Sequence, residues 1–285
     1  MEEFALLFDR LQNLPSPSPV LQRIRTIITN PESSAQDLVD ALKLDPAMAG
    51  KVLKLANSAY IGIPRTVSSL QNAVVLLGQK RLYSLVMGAS VLSNLRVNTF
   101  PSFFNIKNYW RHSITTAVIA ESIAKHLNRY DDVFDSDEVF TIGILHDIGK
   151  LVLCGYDPER VNEALSHSKS VNKPFYLSEE PQCSHMKIGA ALAYHWNFPD
   201  VLADAIEYHH TPLKSEKEHS SLSIVHTANC IAHVAGFPTF EGEIDPPFDD
   251  AAVAAVRLSP ERLRVITENT LNYEKKTESL LDFMT

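Results

Sequence analysis

Ile144-Leu145-His146-Asp147-Ile148-Gly149-Lys150 sets a histidine and an aspartate side by side among apolar residues. Val139, Ile142 and His146 stand three and four positions apart, the spacing of one helical face, so the histidine is expected to look into the core. Adjacent residues on a helix point about 100° apart, and His146 and Asp147 can both reach an ion seated over the sector between them. A neutral imidazole offers one nitrogen lone pair and a carboxylate can serve two cations, so the pair reads as the centre of a metal site. Gly149 is expected to end the helix and relax that geometry.

Further histidines stand at separations that allow convergence on this pair. His112 precedes His146 by 34 positions, room for a helix, a loop and an antiparallel return. His185 follows Asp147 by 38 positions, and His209 and His210 follow His185 by 24 and 25. One ion with five ligands and two ions sharing Asp147 both remain open. Histidine-rich ligation favours iron, manganese, zinc, cobalt or nickel over magnesium or calcium.

Each residue also has an ordinary reading. His112 suits a hydrogen-bonded core histidine, His185 a surface group at a helix start, and His209-His210 a helix C-terminus, where an imidazolium meets the dipole favourably. Together they look less accidental. His226, Asn229 and His233 share a helical face and could add ligands, though nothing beyond spacing speaks for the two histidines. His126, His167, His195 and His219 read as surface or packing residues. Lys150 is suited to holding a phosphate oxygen, although a solvated lysine is the commoner outcome.

The rest of the chain reads as all-α. Periodic segments are expected over Glu2 to Leu11, Val20 to Thr29, Ala35 to Leu44, from Pro46 to about Asn57, and over Ser69 to Leu77 and Gln79 to Leu92. Ser34-Ala35-Gln36-Asp37 resembles a capping box, Asp45-Pro46 a capped helix start, and Gly78 a left-handed cap between two helices. A long helix from Ile106 to Leu127 follows. Later helices are expected over 159–169, Ser184 to Trp196, Pro199 to His210, Ser220 to Val234, and one or two between Asp250 and Leu281. These segments divide into an N-terminal helical subdomain (1–100), a subdomain carrying the metal-site residues (101–236), and a C-terminal loop and helix (237–285).

With 285 residues, of which 45% are hydrophobic, the chain can bury a sizeable core. Its net charge of −8 is split into +3 over residues 1–97 and −11 over the remainder. An acidic balance disfavours general nucleic-acid affinity. The hairpin around Gly78, with Lys80 and Arg81 after the turn, and the basic first third suggest a DNA-binding regulator. Cys154, Cys183 and Cys230 lack a Cys-x-x-Cys pair and read as reduced, buried thiols. The start Met1-Glu2-Glu3 and the lack of an uninterrupted apolar run of about 18 residues lead to the expectation of a cytoplasmic protein without a membrane span.

Taken together, the motifs resemble the HDOD family, the HD-related output domain within the HD superfamily of metal-dependent phosphohydrolases. The resemblance runs over about residues 10–236. It rests on Leu14-Pro15-Ser16-Pro17, Asp45-Pro46, Leu55-Ala56-Asn57-Ser58-Ala59-Tyr60, Leu77-Gly78 and Trp110-Arg111-His112-Ser113. It continues through His146-Asp147-Ile148-Gly149-Lys150, His185 to Gly189, Trp196-Asn197-Phe198-Pro199 and His209-His210.

By resemblance, an N-terminal helical subdomain packs on an HD-type helical core. His112, His146 and Asp147 match the first metal site of active HD enzymes, and His185, His209 and His210 match the second site of related cyclic-dinucleotide phosphodiesterases. The last ligand, an aspartate in active members, corresponds to Asn229, and Thr211-Pro212 stands where those phosphodiesterases carry Gly-Tyr-Pro. Asparagine brings no negative charge, so affinity at that position should fall.

The resemblance implies a bacterial signalling or regulatory module that acts through a protein partner and keeps its metal site at least partly. The alternative is a phosphohydrolase acting on a nucleotide, cyclic dinucleotide or other phosphoester, with Asp147 and Lys150 as its catalytic residues. One or two divalent transition ions, or none, fit these readings.

Overall fold

The computed structural model describes residues 17, 19–30, 32–58, 61–64, 66–95, 99–129, 134–216, 219–272 and 274–285. Among them every regular element is helical, as the periodicity requires. The expected helix over Glu2 to Leu11 lies outside the described residues, as do most of the proline-rich break after it and Ala59 and Tyr60.

The first helices are α1 (Pro19–Thr29), α2 (Ala35–Leu42), α3 (Pro46–Ala56), α4 (Leu70–Leu77) and α5 (Gln79–Asn94). Their ends are set by local chemistry. The Ser34 hydroxyl accepts from the Asp37 amide while the Asp37 carboxylate accepts from the Ser34 amide at 2.8 Å, which completes the capping box. Asp45 accepts from the Met48 amide at 3.0 Å, with Pro46 in the first helical position.

Asn57 explains its own motif, since its amide donates to the Val67 carbonyl and accepts from the Val67 amide, pinning the following loop to α3. Gly78 has the expected positive φ (80°), but its ψ of 142° lies outside the left-handed helical well. It is a corner that ends α4 and starts α5, not a left-handed cap.

The second half comprises α6 (Ile106–Leu127), α7 (Ser136–Leu145), α8 (Ile148–Tyr156), α9 (Pro158–Val171), α10 (His185–His195), α11 (Asp200–Tyr208) and α12 (His219–Val234). Helix α6 packs along α7 and α12 and is buried on several faces, whereas α10 packs between α8 and α11. Two glycines permit the closest approaches to a neighbouring backbone. A Cβ on Gly143 would fall 2.5 Å from the Ala117 Cα, so α6 and α7 touch backbone to backbone.

A Cβ on Gly149 would overlap the His185 carbonyl. Gly149 therefore does not end a helix, as its sequence position suggested. It lies in the first turn of α8 and is bare because α10 is seated there.

The chain closes with α13 (Asp250–Ala255), α14 (Pro260–Asn272) and α15 (Glu274–Met284). Helix α15 returns to pack on α3, α5 and α6, with Met284 over Gly88, so the C-terminal part touches both halves. The halves also meet through ions: Lys80 pairs with Asp135 at 2.5 Å, and Arg81 pairs with Glu121. The basic residues that suggested a DNA-reading hairpin are thus engaged by acids of the second half.

All three cysteines are free and buried. The 21-residue stretch Ser136–Tyr156 contains an 18-residue window long and apolar enough on average to cross a membrane, a property its charged residues conceal from a search for uninterrupted runs. Of that window 83% is buried inside the protein, and the stretch breaks at His146-Asp147.

Candidate metal centre

Helix α7 stops at Leu145 and α8 starts at Ile148, leaving His146 and Asp147 in the break. Asp147 occupies the capping position of α8, yet its carboxylate caps no amide and is turned instead toward imidazoles from three other elements. His112 comes from the buried face of α6, His185 from the first turn of α10, and His209 from the end of α11.

The outer nitrogen of each ring decides what the inner one can do. Nδ1 of His112 donates to the Phe237 carbonyl (2.7 Å), and Nδ1 of His146 to the Gly143 carbonyl (2.8 Å). Nδ1 of His185 donates to the Glu179 carboxylate (2.5 Å), and Nδ1 of His209 to the Ile206 carbonyl (2.8 Å). A carbonyl or carboxylate oxygen only accepts, so each proton sits on Nδ1 and each Nε2 presents a lone pair.

Those lone pairs face one another, His112 to His146 at 3.2 Å and His185 to His209 at 3.3 Å. Two acceptors so close repel unless a cation lies between them. Asp147 divides itself between the two pairs: Oδ2 is 3.4 and 3.6 Å from His112 and His146, and Oδ1 is 3.4 and 3.5 Å from His185 and His209. Oδ1 is buried without a hydrogen-bond partner. Such an orphan calls for a bound ion or water.

The donors form two groups, His112, His146 and Asp147 in one and Asp147, His185, His209 and His210 in the other, each with its ligand atoms within 4.8 Å of one another. Of the arrangements open at the sequence level, this geometry fits two positions sharing Asp147. His210 stacks on Tyr176 at a centroid distance of 4.1 Å, and its Nδ1 has no partner.

Burial disfavours the imidazolium, holding the pKa of His112 to about 3, His146 to about 4 and His209 to about 3, with His210 also pushed well down. These four rings are neutral, the form that ligates. Burial also opposes ionisation of Asp147, but Lys150, helped by His146, His209 and His185, holds its carboxyl well below the ordinary range. Lys150 is itself held above its usual value against burial by Asp147 and Glu243. The residues present fit a divalent cation.

Of the α12 residues, Asn229 is buried with an unpartnered Oδ1. His226 is structural, since its Nδ1 donates to the His209 carbonyl and its Nε2 accepts from the Asp249 amide. His233 is buried beside His112 and lies outside both donor groups. His167 and His195 are exposed, in keeping with a surface reading. Lys150 is not solvated: it is 1% exposed, bonds Asp147 at 2.9 Å and Glu243 at 3.1 Å, and lies 5.7 Å from the ring centres of both Phe175 and Phe240.

Sequence reasoning missed Glu179, Phe237, Thr239 and Glu243. The last three belong to a strap, residues 237–249, that follows α12 and covers the centre; Thr239 donates to Asp147 Oδ2 at 3.3 Å. Their only sequence signal is a pair of carboxylates, Glu179 and Glu243, in otherwise irregular loops.

An all-helical fold that focuses two imidazole groups on the two oxygens of one aspartate defines an HD-superfamily core. The HDOD domain model matches residues 14–212, and the chain belongs to that family. The match is narrower than the stretch from residue 10 to 236 expected from the motifs, and it stops short of α12 and the strap.

A crystal structure of an HDOD domain protein of unknown function from Geobacter sulfurreducens superposes with a TM-score of 0.77 at 21% identity, covering 100% of this chain and 99% of that one. An uncharacterized protein of Treponema pallidum (strain Nichols) is 27% identical over 220 residues, 76% of this chain and 42% of its own length. Ribonuclease Y of Mycoplasmoides gallisepticum is 33% identical over 106 residues, 37% of this chain and 15% of that protein. The chain thus spans less than half the length of these two curated relatives.

Proposed function

We propose that the protein is a metal-dependent phosphohydrolase acting on a phosphoester such as a nucleotide or cyclic dinucleotide. The observation that carries this reading is the pair of lone-pair encounters at 3.2 and 3.3 Å, each completed by one oxygen of Asp147. His112, His146 and Asp147 would hold one ion, and Asp147, His185, His209 and His210 the other, drawn from iron, manganese, zinc, cobalt or nickel. Such ions supply a nucleophile at neutral pH and neutralise charge on phosphoryl oxygens.

The chain's own residues do the rest. Asp147 fixes the spacing of the two positions, and the Nδ1 bonds hold the rings in their ligating tautomer. Lys150 would hold a phosphate oxygen once Glu243 withdraws from it, because its ammonium is already positioned beside Asp147. Similarity to a ribonuclease over 106 residues supports phosphodiester chemistry.

A second reading, a signalling module that works through a protein partner, is favoured by a different observation. The donors are sealed, with exposures of 0% for His112, His146, Asp147 and His185, 1% for His209 and 6% for His210, and Glu243 occupies Lys150. Asn229 also stands where active relatives are expected to carry an aspartate.

Elemental analysis of protein purified without chelator, paired with turnover of a bis-aryl phosphodiester, separates the two. Bound metal with turnover that vanishes in Asp147→Ala establishes the hydrolase. Bound metal without turnover leaves the signalling module.

A further inference from the structure

We propose that His233 is a positioning residue for the oxygen ligand, water or phosphate, that sits at the His112, His146 and Asp147 position. This inference rests on reading that cluster as a metal centre. Its starting point is an anomaly of solvation. His233 is 3% exposed, and neither ring nitrogen has a hydrogen-bond partner. Among the described residues the nearest acid, Asp245, lies 3.8 Å from Nδ1, beyond hydrogen-bond range. Burying an imidazole with both nitrogens unsatisfied is costly, and native proteins resolve such cases with an ordered water or a ligand.

The placement of α12 says where that ligand lies. His226 fastens the helix to the His209 end of the cluster by donating from Nδ1 to the His209 carbonyl at 2.9 Å. Two turns later the His233 ring meets His112 edge to face, with centroids 4.9 Å apart and planes at 67°. Asn229, between them at helical spacing, also has a buried oxygen without a partner. One face of α12 therefore carries three unsatisfied polar atoms, and it sets the His233 ring against His112, a donor of the first metal position.

His233 lies outside the group of donors within 4.8 Å of one another. It is a neighbour of a donor, His112, and not one of the donors, a placement that suits contact with what the ion binds. Three protein donors leave a metal position open to an exogenous oxygen. An imidazole can donate to a phosphate oxygen or accept from water, so it can hold either occupant.

The test uses the full chain loaded with Mn2+ and inorganic phosphate as the probe. His233→Phe keeps a ring against His112 and removes both nitrogens, and His233→Gln restores a polar group. We expect His233→Phe to bind Mn2+ with wild-type stoichiometry and affinity but to bind phosphate about tenfold more weakly, the size of one lost hydrogen bond. His233→Gln should recover part of that loss, and it remains informative if the phenylalanine variant fails to fold.

Unchanged phosphate affinity in both variants would reduce His233 to packing and overturn the proposal. Loss of Mn2+ in His233→Phe would make it a ligand, which also overturns it. If the wild-type protein takes up no Mn2+, the metal-centre reading itself fails, a result distinct from either.

Discussion

Glu243 reaches back 93 residues to set its Oε1 3.1 Å from Nζ of Lys150. Its other oxygen accepts from the Phe240 amide at 3.1 Å, so one carboxylate both folds the strap on itself and fastens it to the centre. Because the family match ends at residue 212, the cover over the site comes from a part of the chain outside that match. The ammonium it neutralises is the one proposed to hold a phosphate oxygen.

Replacing Glu243 with glutamine keeps the size of the side chain and removes half of the charge that balances buried Lys150. A lost charge-assisted bond in such a place costs about 2 kcal/mol. Denaturant unfolding of Glu243→Gln should show a loss of that order, and hydrogen exchange at amides of the strap should quicken while those of α6 stay protected. An unchanged midpoint and unchanged exchange would mean that the ion pair does not hold the strap.

Removing metal should destabilise the protein, because the cluster sets lone pairs against each other only in the folded state. An ion that binds the native form alone stabilises it by about 2.7 kcal/mol when its free concentration exceeds Kd a hundredfold. Chelator is therefore expected to lower the melting temperature of the wild-type protein and to leave that of Asp147→Asn almost unmoved. Equal melting shifts in the two proteins would contradict a cation held by Asp147.

Much of this centre is legible in the sequence, for a physical reason. Ligating side chains need fixed helical positions, and helices advertise themselves through apolar spacing. The 34 positions between His112 and His146 are a helix and its antiparallel return, and Val139, Ile142 and His146 do share the buried face. Outer contacts are less visible. Glu179 and Glu243 sit in loops where no periodicity constrains them, and whether a carboxylate there meets His185, Lys150 or water depends on the tertiary path.

Lys150 shows the same limit from the other side. Its spacing from Asp147 marks it as part of the site, but its burial is decided by Phe175, Phe240 and Glu243, none near it in sequence. Gly149 was misread because a glycine after a helical pattern commonly ends a helix, whereas here it admits a neighbouring backbone.

Glu179 should control affinity at the second metal position although it belongs to neither donor group. It accepts from Nδ1 of His185 at 2.5 Å and from the His185 amide at 2.9 Å, so it fixes both the tautomer and the direction of that ring. Loss of an outer partner of this kind typically lowers metal affinity by about 10–100-fold. Glu179→Ala should therefore bind its second equivalent of Mn2+ in that weaker range, with the first equivalent nearly unaffected. Identical isotherms for mutant and wild type would show that the ring is oriented by something else.

Two glycines give opposite expectations for the same substitution. Gly50 lies on the exposed side of α3 with nothing within 4 Å of a Cβ, so Gly50→Ala should stabilise the protein by about 0.5–1 kcal/mol through helix propensity. At Gly149 the added methyl would overlap the His185 carbonyl and lie 2.9 Å from the Gly189 amide nitrogen, both backbone atoms that yield only if α10 moves. Overpacking of this kind costs about 1–3 kcal/mol. Because α10 carries His185, Gly149→Ala should also weaken the second metal position while sparing the first, where His112 and His146 arrive from α6 and from the break after α7. Comparing unfolding free energies and metal titrations of both variants checks this; a Gly149→Ala protein as stable and as metal-competent as Gly50→Ala would mean that contact between α8 and α10 does not set the position of His185.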